Sequence, residues 1–304
     1  MNGMNGMNGM NGMKVMKVFC NGFWTGFFEK TDPINIDFFF NLLRDVYDEE
    51  PVLTHTIEDA DILMESVFTD TTFVNHKPWR ASFLYTGESY YARCMYNTLS
   101  SYTCILGFNY TEQNFVEFPL YLLYLKSIPD MDLSPAKTIP NNHTTAVISN
   151  GTVNERVIFL DRLDRRMPVI YGGSYKNNIG GKLAGCYATD NLTAFYKNSK
   201  FCITMENTKI GHYITEKIIN GFKAGVVPIY WGSQHVVEHF NSKRFILLED
   251  TKEETINRVI DRMASMSDEE YFEMVNEPIF NAGESVDTIY NKAVDNIKKL
   301  VIKT

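Results

Sequence analysis

The sequence predicts a two-domain α/β protein on three observations. The chain has 304 residues, about twice the usual length of one domain. Short apolar runs bounded by turn residues alternate with helix-patterned stretches, which is the signature of βα layers rather than of a sandwich. That alternation then loosens between Lys126 and Asn150, where SIPDMDLSPAKTIPNNHTT carries three of the ten prolines, and restarts beyond it. The loose stretch reads as a linker.

Residues 1–12 are four copies of Met-Asn-Gly, with almost no apolar face to bury, and predict a disordered tail. From Met13, MKVMKVF alternates apolar and polar residues and predicts a first strand ending at Asn21-Gly22. PINIDFFFNLLRDVYD, from Pro33, predicts a helix capped by Asp32. ILMESVF (Ile62–Phe68), RASFLYTG (Arg80–Gly87) and YTCILGFN (Tyr102–Asn109) predict buried strands.

After the linker, NERVIFLDRL predicts a helix and VIYGG a strand entering a glycine turn. DNLTAFYKN reads as helix, KFCITM as strand, HYITEKIINGFKA as helix and GVVPIYW as strand. SQHVVEHF reads as a short helix, RFILL as the last strand, and helices follow from about Thr251. The expected domains are therefore 13–140 and 141–280, with a C-terminal helix in 281–304 that can cross back to the first. Two such lobes facing each other place a ligand site at the strand ends.

Composition narrows the function. With 44% hydrophobic and 22% charged residues, general disorder is excluded. A balance of 29 Lys+Arg against 37 Asp+Glu, net −8, argues against a nucleic-acid partner. No apolar run is long enough for a membrane span, and MNGMNGMNGMNGMKVMKVF has no stretch of signal-peptide type, so a cytoplasmic or otherwise soluble protein is expected. Cys20, Cys94, Cys104, Cys186 and Cys202 are scattered and never form CxxC, which predicts reduced core thiols and no zinc spacing. The sequons at Asn109, Asn142, Asn150 and Asn191 carry no weight without a secretory signal.

The stretch Lys200–Phe245 concentrates the chemistry. A strand ends in Glu206-Asn207, a loop follows, and the next helix is expected to begin near Tyr213 with Glu216 and Lys217 in its first turns. A helix N-terminus suits phosphate, Lys217 adds a point charge, and a carboxylate such as Glu216 can accept both hydroxyls of a ribose. Phosphate plus ribose means a nucleotide. Spacing alone, however, favours a solvated helix face for the same pair.

The block Phe201…Glu206-Asn207, Tyr213-Ile214-Thr215-Glu216-Lys217-Ile218 and Ala224-Gly225-Val226-Val227-Pro228-Ile229-Tyr230-Trp231-Gly232 resembles the signature of family 10 glycosyltransferases, the α-1,3/4-fucosyltransferases, and is most similar to their soluble bacterial members. FLYTGES (Phe83–Ser89), Ser149-Asn150…Arg156 and Gly172-Gly173-Ser174-Tyr175-Lys176-Asn177 resemble three further family segments. Lys176 stands where the bacterial relatives carry Arg, which weakens any bidentate phosphate contact there. The resemblance covers about residues 80–250; the remainder matches only in overall layout.

The resemblance implies the GT-B architecture, two Rossmann-like domains facing across a cleft. It implies GDP-fucose as donor and a glycan as acceptor. Glu88 would be the catalytic base, and Arg156, Lys176, Asn207, Tyr213, Glu216 and Lys217 the donor-binding set. Glu65 is the rival carboxylate, although its place inside an apolar strand suits a paired structural acid better. His212 flanks the phosphate helix and can reach the donor or serve the surface. Phe23, Trp24, Phe27 and Phe28 can stack on an acceptor sugar or fill core. Asp59 and Asp61 lack a third ligand, and no motif supplies a metal-ligand cluster, so no tightly bound ion or cofactor is expected. Alternatives are a transferase of another GDP-deoxyhexose and an inactive glycan-binding protein of the same fold.

Overall fold

The computed structural model describes residues 14–108, 113–127, 138–185 and 190–302. The Met-Asn-Gly repeat, residues 128–137 of the expected linker and Cys186 lie outside the described residues. The chain forms two parallel sheets with helices, one after the other along the sequence.

The first sheet contains β1 (Val15–Asn21), β2 (Glu50–Leu53), β3 (Ile62–Ser66), β4 (Ala81–Tyr85), β5 (Cys104–Gly107) and β6 (Phe115–Glu117), in the order β2-β1-β3-β4-β5-β6. Every residue of β3, β4 and β5 is buried, as expected for strands covered on both faces. Helix α1 (Ile36–Tyr47) follows β1, and α2 (Leu120–Ser127) follows β6. The cap of α1 differs from the sequence expectation. Asn35 accepts from the Asp37 amide and caps the helix, whereas Asp32 accepts from Ile34 N at 2.8 Å and turns the chain before it. Strand β2 carries Pro51, which hid it from the pattern; as an edge strand it tolerates the missing donor.

The second sheet contains β7 (Asn142–Ala146), β8 (Val169–Tyr171), β9 (Ser199–Ile203), β10 (Val227–Tyr230) and β11 (Ile246–Leu247), in the order β11-β10-β9-β7-β8. Its helices are α3 (Asn154–Leu163), α4 (Asp190–Tyr196), α5 (Glu216–Lys223), α6 (Val236–His239), α7 (Glu253–Ser265) and α8 (Asp268–Asn276). Strand β7 lies inside the stretch read as linker. Its His143-Thr144-Thr145 core lacks an apolar pattern, yet Thr144 and Thr145 are buried, and β7 pairs with both β8 and β9.

Helix α9 (Val286–Val301) packs against α1 and α2 of the first lobe. The Tyr290 hydroxyl donates to Asp45 at 2.7 Å, and Lys126 meets Asp287 at 3.0 Å. One apolar cluster joins the first sheet and α1 to Tyr290, Val294 and Ile297 of α9 and to Ile218, Ile219 and Phe222 of α5. The two lobes therefore share a core.

Candidate active site

Strand β9 runs on into Glu206, which is fully buried. Its carboxylate accepts from the Thr215 amide and from the Thr215 hydroxyl, both at 2.8 Å. Thr215 is the N-cap of α5, so Glu206 pins the start of that helix to the end of the strand. The neighbouring turn is close-packed: a Cβ on Gly232 would stand 2.6 Å from Glu206 Cγ. Gly225, with φ +66°, closes the other end of α5 in the left-handed conformation that ends many helices. The helix thus begins at Glu216 rather than near Tyr213, because Thr215 supplies the cap.

Lys217 Nζ lies 3.0 Å from Thr215 Oγ1 and 3.4 Å from carboxylate oxygens of both Glu206 and Glu216. Burial works against its charge, but the two carboxylates outweigh burial and push its pKa up. It stays cationic. Arg156, buried on α3, donates to Met205 O at 3.2 and 2.5 Å and to Asn207 Oδ1 at 2.8 Å. Burial lowers its pKa, opposed chiefly by Glu206, and a guanidinium retains its proton under such a shift. Ser149, Asn150, Arg156, Asn207, Glu216 and Lys217 line one cavity at the strand ends.

Glu88 follows β4. Thr86 Oγ1 accepts from the Glu88 amide at 3.2 Å and donates to the Glu88 carbonyl at 2.9 Å, fixing the turn. The carboxylate is half-buried and has no hydrogen-bond partner among the described residues. Its pKa is raised, first by burial; Lys217 pulls it down and Glu216 pushes it up. Glu88 of the first lobe therefore lies close enough to Lys217 and Glu216 of the second to feel their charges. Glu88 also borders a cavity of about 600 Å³ walled by Phe23, Trp24, Phe68, Tyr85 and Tyr124.

Other sequence candidates fall differently. Tyr213 is buried two residues ahead of the cap, edge-on to Phe108 at 5.6 Å, and burial raises its pKa. Lys176 is not among the residues that line the cavity at the strand ends. It adopts φ +52° and bonds to Asp161 at 2.7 Å and Asp164 at 2.8 Å. Its charge is committed to those two aspartates. Glu65 accepts from Asn21, Thr72, Phe73 N and Tyr102 at 2.6–3.1 Å, which makes it a structural acid. Phe27 is core, stacked on Phe23 at 3.9 Å, while Phe28 is exposed.

The fold brings together three potential ligands that the sequence motifs did not indicate. Glu117, His212 and His239 converge, with one donor atom from each within 4.8 Å of the others; they come from three distant segments, so no spacing announced them. His212 therefore faces Glu117 of the first lobe, at 2.8 Å. Two residues were also missed, one that braces the start of α5 and one that lines the cavity at the strand ends. Glu206 was seen only as a strand end. Asn220 lies one turn beyond Glu216, lines the same cavity, and keeps Oδ1 buried without a partner among the described residues; its i, i+4 spacing from Glu216 was the available signal.

Two parallel-sheet lobes, one after the other along the chain, are the layout of the GT-B fold. A crystal structure of an alpha1,3-fucosyltransferase with GDP superposes with TM-score 0.71 at 20% identity, covering 97% of this chain and 92% of that one. A second, with GDP-fucose, gives 0.70 at 20%, covering 99% and 94%. Residues 139–276 match the model of "Glycosyltransferase family 10 (fucosyltransferase) C-term". The alpha-(1,3)-fucosyltransferase of Helicobacter pylori is 39% identical over 106 residues, 35% of this chain. That match spans only 21% of the relative's length. Among the described residues, no helix is long and apolar enough to cross a membrane.

Proposed function

We propose that the chain is an inverting α-1,3-fucosyltransferase that moves fucose from GDP-β-L-fucose to a hydroxyl of an acceptor glycan. The observation that carries this reading is the Glu88 carboxylate: half-buried, unpaired among the described residues, raised in pKa, and coupled to Lys217 and Glu216 across the cleft. A carboxylate whose pKa is raised is a stronger base toward the acceptor's proton than an ordinary one.

In this reading Glu88 takes the proton of the acceptor hydroxyl as its oxygen bonds to the fucose anomeric carbon. The bond from that carbon to the diphosphate breaks on the opposite face, and the electron pair leaves with GDP. Lys217 and Arg156 stabilise the charge growing on the diphosphate, Glu216 holds the ribose, and Asn207 and Tyr213 orient the donor. Lys176 contributes no phosphate contact here, since two aspartates already hold it. The aromatic cavity beside Glu88 is the acceptor site, where ring faces can stack on sugar. By analogy with the α-1,3 relatives, the acceptor group is the 3-hydroxyl of N-acetylglucosamine in an N-acetyllactosamine-type unit.

A donor-by-acceptor screen, with product linkage determined by NMR, tests the reading. GDP and GDP-fucose should also raise the melting temperature, by mass action on the folded state. If GDP, GDP-fucose and GDP-mannose all leave it unchanged, the nucleotide assignment is wrong.

A further inference from the structure

Where the two lobes meet, outside the lining of the cavity at the strand ends, two buried imidazoles share one carboxylate oxygen. Glu117 Oε1, at the end of β6, lies 2.8 Å from His212 Nδ1 and 2.9 Å from His239 Nε2. The other ring nitrogen of His239 is 2.9 Å from the buried Tyr121 hydroxyl on α2. We propose that Glu117, His212 and His239 form a site for one divalent ion of the zinc type, which would tie the first lobe to the second.

The donor set selects the ion. Two imidazoles and one carboxylate match the nitrogen-rich three-ligand sets that hold zinc with a water in the fourth position, and they are a poor match for the oxygen-only preference of calcium and magnesium. Bond lengths of about 2.0–2.2 Å place tetrahedral ligand atoms roughly 3.4 Å apart. The three donor atoms already lie within 4.8 Å of one another, and Glu117 Oε1, now 2.8–2.9 Å from each nitrogen, has to draw back to the tetrahedral spacing to admit the ion. Tyr121 supplies the outer hydrogen bond that fixes ring orientation in such sites.

Access and the fourth position come from a separate feature. A cavity of about 100 Å³ reaches both Glu117 and His239, well above the roughly 10–15 Å³ that one water needs. Its walls also carry Glu238 and Glu284 against a single lysine, Lys292, an acidic entrance for a cation. Glu238 is within reach of His212 as well, in a second group with His235. The Glu117 group is the better seat because both its histidines are buried and one is braced by Tyr121.

The test uses the full chain, stripped with a chelator, freed of it, and titrated with zinc by calorimetry and with cobalt(II) in the visible. One ion should bind per chain, and cobalt should give the intense bands of a four- or five-coordinate site. His212→Gln and His239→Gln should each weaken binding at least about tenfold, and Tyr121→Phe should weaken it about tenfold through ring orientation. His55→Gln, at an exposed histidine, should change nothing. The proposal is overturned if the wild-type chain shows only the pale spectrum of hydrated cobalt and no saturable binding, an outcome that needs no variant to fold. It is equally overturned if both glutamine variants, folded by circular dichroism, bind as the wild type does; the trio is then a hydrogen-bonded clamp alone.

Discussion

Glu88 owes its proposed role to a balance of charges. Burial and Glu216 raise its pKa while Lys217 lowers it, and the net shift is upward. Replacing Glu88 by Gln keeps the shape and removes the proton acceptor, so kcat should fall by at least about a hundredfold. GDP affinity should hardly move, because the proposed donor contacts lie on the other lobe. Near-normal turnover in that variant would sink the assignment, and Glu65 cannot replace it, being saturated by four donors. The sign of the pH dependence follows from the same balance. The base works unprotonated, so the rate rises as pH rises through the raised pKa of Glu88. Lys217→Ala removes the charge that favours the carboxylate, so the acid limb of kcat at saturating donor should move to higher pH. An unmoved limb would mean that another group titrates.

At the scale of elements, legibility followed apolar pattern. The runs of β3, β4, β9 and β10 are buried strands whose sequences announce them. Strand β7 is interior to its sheet yet reads as loop, since Thr144 and Thr145 satisfy burial through pairing rather than apolarity. The start of α5 shows the same limit: Thr215 is a good cap by type, but only the structure reveals Glu206 beneath it. Thr215→Val removes an oxygen that both caps the helix and donates to a buried carboxylate. The lost cap costs about 1 kcal/mol, and the deprived carboxylate adds about 1–3 kcal/mol. Denaturant unfolding should therefore show a loss of roughly 2–4 kcal/mol on these terms, with weaker GDP binding, and Thr215→Ser should restore most of both. A neutral Thr215→Val would mean that Glu206 is satisfied without Thr215.

For the whole molecule, two sheets were readable from length and from the restart of the βα pattern, and the family block pointed to the half proposed to bind the donor. The joint between the lobes was not readable, because it is built by residues far apart in sequence. Ile297 and Val294 of α9, Phe222 of α5 and Phe39 of α1 belong to one apolar cluster, and no local periodicity records such a meeting. The consequence is thermodynamic. Lobes that share a core cannot unfold separately without exposing apolar area on both, so heating should give one cooperative transition, and GDP should shift all of it. Ile297→Ala, at a fully buried position, should cost about 2–5 kcal/mol and lower that same transition, although the residue is remote in sequence from the proposed donor residues. Calorimetry decides between the two pictures. Two separate endotherms, with GDP moving one and Ile297→Ala the other, would show lobes that fold independently and a joint that adds little to stability.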